Sequence, residues 1–301
     1  MWTIRTDLAV EAREIWAESA AAQTELPGVI ARDKNVAGFD ITTVQITDAL
    51  GAQELNKPVG TYITVELDKF INREEGAFNA GSIALAQEIE QLLKLESGES
   101  VLVVGLGNSA ITADAIGPIT VRHTMVTRHL VDKMPEDFGM LRRVSVLESG
   151  VLGTTGMESA ELIKAVTERI QPDRVIVVDA LASRRFKRVC RTVQLADTGI
   201  VPGSGVGNGR MAINTEALGV PVTAIGVPTV VDAGTLAADI AEKAGAQDVS
   251  RQDFENYGSD MIVTPKDIDT SVNDISKFIG YALNLAFHQG ITVDDITMFL
   301  S

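Results

Sequence analysis

The sequence predicts an α/β fold: a mainly parallel central sheet with helices on both faces, plus a small β-rich portion near the N-terminus. Three observations carry this expectation. The apolar runs VLVV (101–104) and VIVV (175–178) lack the alternation of a half-exposed strand, so they read as strands buried on both faces. Segments with apolar residues at three- and four-residue steps separate such runs, and strands alternating with helices form parallel βαβ units. Between Gly28 and Leu67 the pattern changes to short runs, GVIAR, FDITTVQI and the near-alternating GTYITVEL, separated by polar stretches, which read as a cluster of strands.

Each element follows from local pattern. Leu8, Ala9, Ala12, Ile15 and Trp16 predict a helix over residues 8–22 that breaks at Pro27-Gly28. The β-rich subregion spans 28–70. Ile83, Ala86, Ile89, Leu92 and Leu93 predict a helix from Asn79 to Leu95 that feeds the strand at Val101. A helix from about Ile116 to Lys133, the strand VSVLE, a helix from Met157 to Ile170 and the strand RVIVVDAL follow. The strand RTVQLAD then leads into the glycine-rich loop VPGSGVGNGR, and PVTAIGV precedes the helical DAGTLAADIAEKAG. Near the end, Thr264 is expected to cap a helix with Pro265 first and Asp267 third, running to about His288. With no internal repeat and no low-complexity linker, residues 1–301 read as one domain.

Composition narrows the function classes. At 301 residues and 45% apolar content the chain can bury a full core. The 26 Lys and Arg against 41 Asp and Glu leave a net charge of −15, which disfavours non-specific attraction to nucleic acid or an anionic membrane. The single cysteine, Cys190, closes no intrachain disulfide and belongs to no metal-finger spacing. Charges thread through MWTIRTDLAVEAREIWAE, so it lacks the core of a signal peptide, and no run approaches the ~18 apolar residues of a membrane span. A cytoplasmic protein that binds no membrane is the expectation.

The chemistry-bearing residues are two aspartates. Asp179 ends the strand RVIVV, and Asp114 follows VLVV by ten residues. Strands of a parallel sheet share one C-terminal edge, and ligands bind in crevices there. Two carboxylates meeting at that edge around one water can supply both halves of amide hydrolysis, a base for the water and an acid for the leaving amine. Held close together they do not both ionise, so the pair retains a proton at neutral pH. The alternative is structural: Asp179 and Asp114 as N-caps of helices starting at Ala180 and Ala115.

Other motifs are weaker. Gly105-Leu106-Gly107-Asn108-Ser109-Ala110 looks like the start of a dinucleotide fingerprint, yet no helix begins at once and no acidic strand end follows. Together with Gly203–Gly209 it supports an alternative reading as a nucleotide-binding or nucleoside-processing enzyme. Asp197-Thr198-Gly199 matches the loop of pepsin-type proteases, which are all-β, so here it reads as a strand-ending turn at the border of the cleft. Arg184, Arg185, Lys187, Arg188 and Arg191 form the one basic cluster, either a solvated face or a clamp for a substrate carboxylate. His123, His129 and His288 are scattered, without the HExxH spacing of a zinc site.

Ordered segments along nearly the whole chain, IRTDLAVEA, VVGLGN, DAIGPITV, TRHL, VDALASR, TGIVPGSGVGN, IGVPTVVDA and MIVTPKDID, resemble the germination proteases of spore-forming bacteria. The resemblance implies an endopeptidase, aspartic in type but unlike pepsin, that degrades small acid-soluble spore proteins in the forespore and spore core. Its catalytic pair falls on Asp114 and Asp179, with Asn108, Arg184 and Asp197 expected to line the substrate cleft. It further implies a homotetramer made as a zymogen that cuts its own N-terminal segment, and a fold like that of the hydrogenase-maturation endopeptidases. No cofactor is expected; because those enzymes work beside their substrate's metal, a divalent ion at the site is left open. Two departures stand out: Ala113 where the family has proline before the first aspartate, and only Met1 to Ile4 ahead of Arg5 where precursors carry a longer tail.

Overall fold

The computed structural model describes residues 6–19, 26–206, 209–244 and 261–301. The predicted end of the first helix near residue 22, the stretch Met1 to Arg5 and residues 207–208 of the glycine-rich loop lie outside them. The described strands, β1 (Val29–Val36), β2 (Phe39–Ile46), β3 (Gly60–Glu66), β4 (Val101–Leu106), β5 (Val144–Gly150), β6 (Arg174–Ser183), β7 (Thr192–Ala196), β8 (Val222–Asp232) and β9 (Ile262–Val263), form a single sheet. Its order is β1-β2-β3-β7-β8-β6-β4-β5, with β9 beside β8.

The α/β class holds, and the sheet is mixed. Strands β5, β4, β6 and β8 run parallel, while β7 turns against β8 and carries β3, β2 and β1 in antiparallel succession. The reason lies in the connection from β6 to β7, residues 184–191. A parallel neighbour needs a crossover of a dozen or more residues, so a link this short turns β7 round. The strands of residues 28–70 are therefore the far end of the main sheet, joined by pairs such as Tyr62 with Ala196.

Both faces are covered. One carries the short α3 (Asp68–Ile71), α4 (Ala77–Leu93), α5 (Ile116–Arg122) and the long C-terminal helix Ile268–Phe287, with Leu85, Ile89, Ile116, Ile275 and Phe278 packed on Val101, Val103, Ile176 and Val178. The other carries α1 (Ala9–Ser19), α2 (Ala49–Leu55) and the helix Ser159–Ile170, with Ala9, Ala12, Leu55 and Ile163 against Leu102, Val104, Val175 and Val177. Alternate residues of β6 thus enter opposite cores, which is why its sequence is apolar throughout. Each such fully buried side chain contributes roughly 1.5–3 kcal/mol.

Three elements differ from expectation for local reasons. The helix predicted from Ile116 to Lys133 is broken: α5 ends at Arg122, and α6 (Arg128–Lys133) resumes afterwards. Between them Met125 N donates to Asn284 Oδ1 at 2.8 Å and Thr127 N to the Val144 carbonyl at 3.1 Å, so tertiary partners replace the helical ones. Thr264 does not cap; its hydroxyl donates to the Thr229 carbonyl at 3.0 Å, and the long helix starts at Ile268. Ala49–Leu55, read as part of a polar spacer, form α2, capped by Asp48, whose carboxylate accepts from Leu50 N and Gly51 N.

Helix α5 lies unusually close to the sheet. A Cβ on Gly117 would stand 2.3 Å from the Leu106 carbonyl oxygen and 2.4 Å from that of Val178, and one on Gly105 would stand 2.4 Å from the Gly117 carbonyl oxygen. Backbone faces backbone there, leaving no side chain to yield. Gly117→Ala should therefore lift α5 from β4 and β6 and lower stability by about 1–3 kcal/mol, read as a drop in the urea midpoint at unchanged slope.

Candidate active site

Asp179 follows Val175 and Val177 on the face of the sheet that α1 covers. The β4 ladder on β6 stops at Gly105 opposite Val178, whereas β6 continues to Ser183 against β8. Asp179 is thus the first residue beyond the point where β4 leaves, and a crevice opens beside it. Its side chain is 6% exposed, with Oδ1 accepting from Ala180 N at 2.9 Å. Burial drives its pKa well above the usual carboxylate range; the charge of Asp114 adds to this, the Ala180 N–H opposes it and the charge of Asp7 reinforces it.

Asp114 ends a short 3₁₀ turn, Thr112–Asp114, between β4 and α5. The chain returns so tightly after β4 that Gly107 adopts φ +112, and a Cβ there would stand 2.1 Å from the Asp114 carbonyl oxygen. This glycine serves the protein's own loop. Asp114 Oδ2 accepts from Asn108 N at 2.8 Å, and the Thr229 hydroxyl donates to the Ala113 carbonyl at 2.6 Å. The turn that bears Asp114 is thereby tied to β8. Burial raises the Asp114 pKa against the lowering effect of the Asn108 N–H.

Both aspartates line one cavity of about 410 Å³, together with Asn108. Neither is a helix cap: β6 runs on through Ala180, and α5 begins without a side-chain capping bond. The charge of Asp114 adds to the rise at Asp179, so the titrations of the two acids at this cavity are coupled.

A third carboxylate, Asp7, lines the same cavity, and no spacing in the sequence signalled it. Its N–H donates to the Ala182 carbonyl at 3.1 Å, while its Oδ2 accepts from Ala182 N at 2.9 Å and its Oδ1 from the Ser204 hydroxyl at 2.8 Å. Residue 7 is thus laid along the extended end of β6. Gly205 closes over it, for a Cβ there would stand 2.1 Å from Asp7 Oδ2. The glycine-rich loop is an edge of the cleft, with Pro202 and Gly203 also lining it.

Two expected cleft residues lie elsewhere. Arg184 is 2% exposed and outside the cavity lining; its N–H donates to Glu11 Oε2 at 2.6 Å. The basic cluster grips the protein's own carboxylates, with Arg188 bonding Glu14 at 2.7 and 2.8 Å and Arg185 N bonding Glu11 at 2.9 Å. Asp197 fails for a topological reason. Because β7 is antiparallel, Gln194 pairs with Gly226 but Ala196 with Ala224, so the strand leads away from the C-terminal edge of the parallel strands. Asp197 Oδ1 instead accepts from Thr61 N at 2.8 Å at the start of β3, and Gly199 turns the chain with φ +73.

Cys190 and His288 lie in the interior, away from the cavity lining. Cys190 is buried, its thiol pushed up to about 12 mainly by burial. His288 is buried and lowered to about 4 for the same reason. Among the described residues no three His, Cys, Asp or Glu side chains converge as a metal-ligand set, and no helix is long and apolar enough to cross a membrane.

The raised pKa of Asp179 makes a stability prediction. A carboxyl whose pKa is higher in the folded state binds more protons folded than unfolded, so it subtracts stability as pH rises above its ordinary value of 3.8. Asp179→Asn keeps the acceptor for Ala180 N and removes the charge. The variant should be more stable than the wild type at neutral pH, with the gain shrinking to nothing below about pH 4, measured by urea denaturation across that range.

The profile of the germination protease family matches residues 9–244. Germination protease of Caldanaerobacter subterraneus subsp. tengcongensis is 43% identical over 99% of this chain and 98% of its own, and that of Clostridium perfringens strain 13 is 40% identical over the full length of both. Germination protease of Bacillus pumilus is 36% identical over 98% and 96%. Among solved structures, the NiFe hydrogenase maturation protease HycI of Thermococcus kodakarensis aligns with 65% of this chain and 98% of its own at 16% identity and a TM-score of 0.36. The chain belongs to the germination protease family.

Proposed function

We propose that this protease hydrolyses small acid-soluble spore proteins by an aspartic mechanism in which Asp114 and Asp179 act on one water. The coarser statement follows from family membership: the chain is a peptidase of spore germination. The finer one is supported by a single observation. Two acids 65 residues apart, one delivered by strand β6 and the other by the turn after β4, both raised in pKa, line one cavity at the C-terminal edge of the parallel strands.

Roles follow from the environments. Asp179 is the more deeply buried of the two and the more strongly raised, so it takes the part of the acid, and Asp114, which ionises more readily, that of the base. Asp114 takes a proton from water as its oxygen attacks the peptide carbonyl; Asp179 then protonates the leaving amine. In this reading the carboxylates act on water directly, with no nucleotide and no resident metal. The tight turn that suggested a phosphate cradle is filled by the Asp114 carbonyl facing Gly107.

Regulation by self-processing belongs to the same reading. The N-terminal segment reaches the cleft at Asp7, whose carboxylate lies in the cavity with the pair. A precursor whose own segment occupies the cleft is both blocked and positioned to cut itself. The homotetramer and the location in the forespore and spore core rest on the resemblance to the family.

Asp114→Asn and Asp179→Asn preserve shape and remove the ionisable group. Each should lower kcat on a purified small acid-soluble spore protein by about 100-fold or more while the fold persists. Turnover close to wild type in either variant, with normal circular dichroism, would refute the pair.

A further inference from the structure

One peptide group at the cleft is held by two side chains that the acid pair does not explain. The carbonyl oxygen of Asp7 accepts from Lys57 Nζ at 3.0 Å and from Gln194 Nε2 at 3.0 Å. Lys57 Nζ also reaches the Thr6 carbonyl at 3.0 Å, and Gln194 Oε1 accepts from Ala9 N at 2.7 Å. Gln194 is buried. Burial lowers the pKa of Lys57, while the charges of Asp7 and Glu11 hold it up, so the ammonium is no solvated surface tether.

A desolvated ammonium is a costly means of holding a neutral carbonyl, for which an uncharged donor suffices. Its contribution grows when that oxygen becomes an anion, as in the tetrahedral intermediate of amide hydrolysis. The location fits. Gln194 pairs with Gly226 and Gly226 with Asp179 in one row across β7, β8 and β6, so Gln194 and Asp179 project from the same face of the sheet. The Asp7 side chain lines the cavity of the acid pair, which brings the gripped carbonyl within one residue of it.

We infer that Lys57 and Gln194 are the oxyanion-stabilising donors of this protease, engaged here on the chain's own N-terminal segment. The inference rests on the acid pair proposed above and supplies the electrophilic half of its chemistry. Water's oxygen bonds to the carbonyl carbon as one carboxylate takes its proton, and the C=O π pair moves onto the oxygen facing Lys57 and Gln194. Collapse restores the carbonyl and breaks the C–N bond, and the protonated carboxyl delivers its proton to the departing amine. One water is consumed and no other reactant is needed. When a protein substrate replaces the segment, its scissile carbonyl takes the place of the Asp7 carbonyl.

The test compares the full chain with Lys57→Met, Lys57→Arg, Gln194→Glu and Asp179→Asn on a purified small acid-soluble spore protein. Gln194→Glu keeps the acceptor for Ala9 N and loses the amide donor. Lys57→Met and Gln194→Glu should each lower kcat by about 100-fold or more with KM changed only a few-fold, and Lys57→Arg should recover most of the loss. A kcat within a few-fold of wild type in Lys57→Met, or a rise in KM alone, overturns the donor role while an inactive Asp179→Asn leaves the acid pair standing. An active Asp179→Asn instead overturns the reading beneath it. Should Lys57→Met lose cooperative melting, Gln194→Glu carries the same comparison.

Discussion

The backbone contact between Gly117 and the ends of β4 and β6 sets the geometry on which the site depends. With no side chain at Gly105 or Gly117, α5 settles directly on the Leu106 and Val178 carbonyls. The loop between β4 and α5 then has little room, and Gly107 with its left-handed backbone lets it fold back on itself. Asp114 is held beside the crevice that opens where β4 leaves β6. Asp179 needs no such device, since the strand itself carries it there. One acid is placed by a strand and the other by a close approach of backbones.

Electrostatics divide this acidic chain into two regimes. At Asp114 and Asp179 burial outweighs the backbone N–H groups that oppose it, so their pKa values rise. Around Glu11 and Glu14 the opposite holds. Glu11 is fully buried yet accepts from Thr6 and from the N–H groups of Arg184 and Arg185, and Arg188 spans both carboxylates. Burial pushes Glu14 up, but its hydrogen bonds and charge contact with Arg188 bring it below the ordinary range. The first regime suits proton transfer; the second fastens α1 to the segment after β6 and so holds Asp7 against the cleft.

Much of this was legible in the chain. Buried strands announce themselves by unbroken apolar runs, and Asp179 inherits its position from VIVV. The β-rich run from 28 to 70 was visible as well. The split between α5 and α6 was not, because the bonds that divert the chain come from Asn284 and Val144, far away in sequence. Nor was Asp7, which reaches Ala182 and Ser204 across more than half the chain.

By itself, the sequence determined the α/β class, the order of the main strands and the family, because these depend on local periodicity and on residue types in order. Only the tertiary structure decided which charged residues share a cavity. The direction of β7 removed Asp197, buried partners claimed Arg184, and Asp7, Lys57 and Gln194 were brought together at one peptide. Such meetings are set by strand direction and by hydrogen bonds between distant segments, and neither leaves a periodic trace in the residues concerned.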